Sequence, residues 1–390
     1  MISKMKKALA ALCASLSMLA AHEVAQAQSE PYKVFDTKPV ITEGPYLVAM
    51  SDTAVSVVWM TDAPSHAKVR LDDGSKVREI EPQVDGLVPV GLRHVVTITG
   101  LAPGTRYSYE AIATRVVKLK PYWPDKGLSI SSPAASFTTF SARQPAASFS
   151  VITDTHEDTA RIGRLLKLVD WSRTDALVHL GDAFNWLDSE EQLFGKWLRP
   201  TFAAMGPGKP LLYARGNHEL RGAFARQLSG YVPTPEGTYY YSRAMGPVHL
   251  LVLDTAEDKP DDTNVYAQLN RTQPYREEEL AWLRGQVSGD KHLANAPFRV
   301  VAMHQSDWGA LPDKGAAWTA LANQAGIDLI IAGHDHKFSY EAPNQQHSYH
   351  QLILGQDQLA RVDATDRVLT VKVSTDKGAP VYTLTIPARR

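Results

Sequence analysis

Ala176-Leu177-Val178-His179-Leu180-Gly181-Asp182 decides the fold: an apolar run of strand length stops at a glycine, and a carboxylate follows at once. The same figure recurs along the chain. Ala147-Ser148-Phe149-Ser150-Val151-Ile152 leads to Asp154-Thr155-His156, and Pro210-Leu211-Leu212-Tyr213 leads to Gly216-Asn217-His218-Glu219. Phe298-Arg299-Val300-Val301-Ala302-Met303 leads to His304, and Ile327-Asp328-Leu329-Ile330-Ile331 leads to Gly333-His334-Asp335-His336. Helical patterns over residues 159–171, 190–205, 277–287 and 316–324 alternate with these strands, which predicts a layered α/β architecture. Ligand sites in open α/β sheets gather at the carboxyl ends of strands, so the five loops are expected to converge on one crevice.

The side chains in those loops name a chemistry. Glycines 216 and 333 are expected to let the backbone turn sharply and bring an amide and imidazoles together. Oxygen and nitrogen donors without sulfur suit zinc, manganese or iron rather than calcium or an iron–sulfur cluster. A mononuclear site uses three or four ligands, whereas seven are at hand, which argues for two metal ions sharing a bridging carboxylate. Each residue taken singly has a plainer reading. Asp154 could cap the helix that follows, Asp182 could cap a short helix near Phe184, and His304 could be a hydrogen-bonded core residue closing a strand.

In this order, Asp-x-His, Gly-Asp, Gly-Asn-His-Glu, a lone His and Gly-His-x-His resemble the signature of the calcineurin-like metallophosphoesterases. The resemblance implies that Asp154, His156 and His336 hold one metal, that Asn217, His304 and His334 hold the other, and that Asp182 bridges them. His218 is left without a metal, on the leaving-group side, where it resembles the family's general acid or charge stabiliser. Asn217 is also expected to meet substrate. Arg215 is a further expected substrate contact, because Arg-Gly-Asn-His-Glu resembles the serine/threonine protein phosphatases; its plainer reading is a salt bridge. The implied reaction is attack on phosphorus by a hydroxide held between two divalent ions, manganese, zinc or iron. Phosphate monoesters are the favoured substrates and phosphodiesters, cyclic nucleotides included, the alternative. A surface-binding module with structural metals is the alternative of another class.

Residues 42–140 carry no metal-like string but show period-two runs such as Val55-Ser56-Val57-Val58-Trp59, separated by Gly, Pro and Asp-Asp-Gly turns. They predict an all-β sandwich. Leu101-Ala102-Pro103-Gly104-Thr105-Arg106-Tyr107-Ser108-Tyr109 resembles a fibronectin type III domain, with Tyr107 or Tyr109 as its tyrosine-corner residue. Such a domain ahead of residues 146–390 as the metallophosphoesterase domain is similar to the layout of the purple acid phosphatases. Two positions depart from that group: His156 replaces a glycine, and Asn185 stands where its iron-binding tyrosine would be. An imidazole gained and a phenolate lost remove the hard anionic ligand that favours ferric iron. The runs 351–354, 368–373 and 381–385 are expected to close the catalytic sheet.

Lys4, Lys6 and Lys7, an apolar run from Ala8 to Ala21 and Ala25-Gln26-Ala27 read as a signal peptide over residues 1–27, followed by a linker over 28–41. Its sole cysteine, Cys13, lies inside that leader, so a periplasmic or secreted mature chain would hold its fold without disulfides. Without the leader the charges are 38 basic against 41 acidic, a formal net charge of −3, and no basic stripe marks a nucleic-acid partner. The expected partner is a small phosphorylated substrate, with no stable membrane anchor.

Overall fold

The computed structural model describes residues 33–309, 311 and 315–389. The expected leader, together with residues 28–32 of the expected linker, lies outside the described residues. Seven strands come first: β1 (Ile41–Val48), β2 (Val55–Asp72), β3 (Val77–Ile80), β4 (Gly91–Ile98), β5 (Arg106–Lys118), β6 (Asp125–Ser131) and β7 (Ala135–Thr138). All their mutual pairings are antiparallel. β2 is long enough to serve two layers. Its first half pairs with β1 and β4 and its second with β3 and β5, the change falling between Met60 and Ser65. Alternate residues therefore reach one interior, where Val57, Trp59, Val69, Leu71, Tyr109 and Phe137 are buried together. Of the two tyrosine-corner candidates it is Tyr107 whose hydroxyl accepts the Ala102 N–H, at 2.9 Å. Tyr109 instead donates to the Pro207 carbonyl, outside the β1–β7 region, at 2.7 Å.

The α/β part follows with β8 (Ala146–Ile152), β9 (Ala176–His179), β10 (Pro210–Tyr213), β11 (Tyr241–Met245), β12 (Val248–Val252), β13 (Phe298–Ala302) and β14 (Leu329–Ala332). It ends with β15 (Ser339–Glu341), β16 (His350–Ile353), β17 (Gln358–Thr365), β18 (Val368–Thr375) and β19 (Pro380–Pro387). One sheet runs β19-β18-β17-β8-β9-β10 and the other β11-β12-β13-β14-β16-β15. Their facing side chains, Phe149, Val151 and Val178 from the first and Leu250, Val300 and Ile331 from the second, form one core. The strands' other faces receive helices. Ile162, Leu165 and Trp197 pack on Ile152, Leu177 and Leu211, while Leu283 and Leu321 pack on Leu251, Val301 and Ile330. The C-terminal strands close both sheets, β17–β19 on β8 and β16 on β14.

Helix boundaries differ from the periodicity in informative ways. The first helix covers Thr159–Lys167 and stops short of Trp171; its cap is Asp158, which accepts the Arg161 N–H at 2.8 Å. Asp154 is thereby free of the capping role. The helix expected from residue 277 begins at Thr272, and the one over 190–205 contains a π-helical turn at Phe194–Leu198. The two sheets of different origin also meet. β1 pairs in parallel with β10 through Leu47–Pro210 and Val48–Leu211, so the first sheet continues into the N-terminal strands. No helix among the described residues is long and apolar enough to cross a membrane.

Candidate metal centre

The loops after β8, β9, β10, β13 and β14 meet at the carboxyl ends of those strands, and they meet because three glycines lack a side chain. A Cβ on Gly181 would run into the backbone of Gly216, one on Gly216 into Asp182 Oδ1, and one on Gly333 into Thr153 and Asp154. Only Gly181 has positive φ, at 86°. The expectation of sharp turns at Gly216 and Gly333 is therefore corrected: what those two provide is close approach. The left-handed conformations fall instead on the candidate ligands. Asp154 (φ 51°), His156 (42°), Asp182 (51°), His334 (74°) and His336 (56°) all adopt a region that costs residues with a Cβ. Backbone strain concentrated on five of seven candidates is the mark of a site that packing holds in place against local preference.

The structure brings six of the seven, all but Asn217, together in two overlapping groups. Donor atoms of Asp154, His156, Asp182 and His336 lie within 4.8 Å of one another, as do those of Asp182, His304 and His334. Asp182 belongs to both. His156 Nε2 and His336 Nε2 converge to 2.9 Å, His336 Nε2 is 3.3 Å from Asp154 Oδ1, and His304 Nε2 is 3.1 Å from Asp182 Oδ2. Short as the last contact is, His304 Nε2 makes no hydrogen bond of acceptable geometry, and neither do Asp154 Oδ1 or the two side-chain atoms of Asn217. Buried polar atoms left unpaired cost about 1–3 kcal/mol each, which a coordinated cation would offset. The remaining atoms are tied back. Asp154 Oδ2 accepts from Thr153 Oγ1 (2.7 Å) and the His334 N–H (3.0 Å), while His304 Nδ1–H donates to the Leu180 carbonyl at 2.7 Å. Anchoring the far nitrogen fixes ring orientation and leaves Nε2 as the donor atom. These residues fit a pair of divalent ions in ligand type, number and support.

The electrostatics agree. Burial opposes ionisation of Asp182, but the charge of the adjacent His304 outweighs it, and the carboxyl is held well below its usual range. Burial likewise raises Asp154, and His336 and His304 bring it down. His304 shows the converse: burial lowers it, yet the Asp182 charge pushes it up to about 10. Two ionised, buried carboxylates make a pocket that retains positive charge wherever it can find it.

His218 stands at the rim, with Nδ1 2.6 Å from the Asn185 carbonyl and Nε2 3.8 Å from Asp182 Oδ2. Its own N–H donates to Asp182 Oδ1 at 3.0 Å. Arg215 is engaged by a carboxylate and a ring: its Nη2 lies 2.7 Å from Asp254 Oδ2 and its guanidinium 4.4 Å from the Tyr239 ring centroid. Sequence reasoning gave no role to Glu219, although it completes the Gly-Asn-His-Glu string. Its buried carboxylate accepts the N–H groups of Asp182 (2.9 Å), Ala183 (2.6 Å) and Gly216 (2.9 Å), clipping two ligand loops together. Arg221 was missed as well. It lies three residues after His218, a spacing that sets side chains side by side in a tight helical turn, and the turn His218–Leu220 is there.

Residues 147–338 match the calcineurin-like phosphoesterase family. The chain is 24% identical over 324 residues to acid phosphatase type 7 of Mus musculus, covering 73% of this chain and 67% of that protein. The Homo sapiens protein of the same name is 23% identical over 329 residues, with the same coverage. Among solved structures, a purple acid phosphatase (PPD1) from seeds of yellow lupin, Lupinus luteus, superposes with a TM-score of 0.61 at 14% identity, over 90% of this chain and 74% of that one. PhoD superposes with a TM-score of 0.55 at 12% identity, over 88% and 92%. At these identities the two superpositions speak for the fold.

Proposed function

We propose that this chain, which carries a calcineurin-like metallophosphoesterase domain and is a metal-dependent phosphoester hydrolase, acts on phosphate monoesters outside the cytoplasm. The observation that carries the reading is Asp182, whose carboxylate belongs to two convergent groups of donors. Asp154, His156 and His336 would hold one ion, Asn217, His304 and His334 the other, with Asp182 between them. Two divalent ions there would supply Lewis acidity toward the phosphoryl oxygens and a water acidic enough to react near neutral pH.

The chain's own residues do the rest. The Asn185 carbonyl accepts a hydrogen bond from Nδ1–H of His218, which leaves Nε2 as the atom that can carry a proton to a leaving oxygen. Glu219 and the three close-packed glycines hold the loops so that His218 keeps its distance from Asp182. The preference for monoesters is supported by the acid phosphatase relatives; the fibronectin type III-like reading of residues 42–140 is supported by the Tyr107 bond. Export is supported by the lysines and short apolar run of residues 1–27.

Purified protein loaded with manganese or zinc should release p-nitrophenol faster from p-nitrophenyl phosphate than from the bis-ester. A preference for the bis-ester would make the chain a phosphodiesterase, and no turnover of either with both metals bound would leave a binding module. Mass spectrometry of the exported protein should place its first residue near Gln28; a mature species that kept the lysines would remove the export reading.

A further inference from the structure

The proposal above places an acid at His218 and would set metal ions against the phosphoryl oxygens, but it names no side-chain cation for them, and Arg215 is paired with Asp254. Arg221 is in a different position. Its Nε and Nη2 grip the Glu257 carboxylate at 3.1 and 2.7 Å, and Nη2 also reaches Asp258 Oδ1 at 2.8 Å. Glu257 is fully buried and takes a further hydrogen bond from Tyr266 Oη at 2.8 Å, so the anchor is itself fixed from the long loop beyond β12. That leaves Nη1, whose one partner among the described residues is His218 Nε2, at 3.3 Å.

The pairing is chemically provisional. With Nδ1–H given to the Asn185 carbonyl, His218 Nε2 is the acceptor that Arg221 Nη1–H meets, and at 3.3 Å that contact is longer than either hydrogen bond to Glu257. An oxygen-rich anion entering at that point can take the Nη1–H in its place. A guanidinium preset by two carboxylates and offering a single free edge is suited to a phosphoryl oxygen.

We propose that Arg221 is the substrate-binding guanidinium of this site, giving Nη1–H to a non-bridging oxygen of the phosphoryl group while His218 Nε2–H addresses the leaving oxygen, and that Glu257 is the residue that positions it. The assignment rests on the phosphoesterase reading, and its test separates the two. Metal-loaded protein is titrated with inorganic phosphate by calorimetry, alongside kcat and KM for p-nitrophenyl phosphate and elemental analysis of bound metal. Arg221→Gln should weaken phosphate binding about ten- to a hundredfold with the metal complement intact, and should raise KM more than it lowers kcat. Arg221→Lys should recover part of the loss, since charge remains but the fork does not. Glu257→Gln should move phosphate affinity in the same direction by less. Should Arg221→Gln not fold, the lysine and Glu257 variants decide. Unchanged phosphate affinity in fully metallated variants would overturn the assignment, as would a wild-type protein that binds no phosphate. Wild-type protein that binds phosphate through Arg221 yet hydrolyses no ester would keep the assignment and overturn the phosphoesterase reading.

Discussion

Arg215 and Asp254 form an ion pair of 2.7 Å in which the carboxylate is entirely buried, Tyr275 Oη adds a 3.0 Å hydrogen bond to it, and the guanidinium lies over Tyr239. The residue before Gly216 thus ties the loop after β10 to the loop after β12, across the gap between the two sheets. Removing one partner of a buried pair strands the other charge, at a cost of about 3–5 kcal/mol. Asp254→Ala should lower the urea midpoint accordingly while inorganic phosphate binds the metal-loaded protein as before. Weaker phosphate binding with unchanged stability would mean that Arg215 meets substrate after all.

Asp182 and His218 differ in what their loss should remove. Asp182→Ala takes a shared carboxylate from both groups of donors and should release metal. His218→Ala should keep both ions and lower turnover by about 10²–10⁴-fold, most for poor leaving groups. Elemental analysis of the two variants separates the roles, and equal metal loss in both would make His218 a ligand.

Protein reconstituted with iron in air should lack a strong visible charge-transfer band. The position three residues after Asp182 is Asn185, whose carbonyl is committed to His218, and its side chain offers no phenolate. The neutral imidazole of His156 at the same group further favours divalent over trivalent metal. An intense band abolished by changing one tyrosine to phenylalanine would refute this and identify a replacement ligand.

A fragment starting at residue 141 should not fold into a monomer. Without β1 the edge of β10 is bare, and Tyr46 and Val48, buried against Leu211 and Tyr231, are gone from the core. The lost bond from Tyr46 Oη to the Tyr231 carbonyl, 2.9 Å, leaves an acceptor inside. Size-exclusion chromatography checks the outcome; a monomeric fragment with full metal content would show the seam to be dispensable.

Stability should fall in mild acid. His94 is 4% exposed, with Nε2 2.8 Å from Thr61 Oγ1, and burial holds its imidazole down at about 4. The unfolded chain binds that proton near pH 6.5, so the folded state has its full advantage above 6.5 and loses it progressively toward pH 4, by up to about 3 kcal/mol. His94→Gln should flatten the decline of the urea midpoint over that window, and an identical slope would remove His94 as its source.

Strand-end motifs were legible because they are local. An apolar run followed by Gly-Asp or Gly-Asn-His carries both its burial and its chemistry within a few residues, and parallel α/β topology sends such ends to one edge. The sequence alone therefore determined that Asp154, His156, Asp182, Asn217, His304, His334 and His336 belong to one set. Tertiary structure decided the rest. Left-handed φ at five of those residues is imposed by neighbours, since local preference opposes it. Gly216 and Gly333 matter for atoms contributed by other loops, which no turn propensity encodes. Arg215 and Arg221 are two arginines of like charge and near-identical context in the sequence, and what separates them is which buried carboxylate each one meets, Asp254 or Glu257. That choice is made by packing between segments distant in the chain, where periodicity and spacing have no reach.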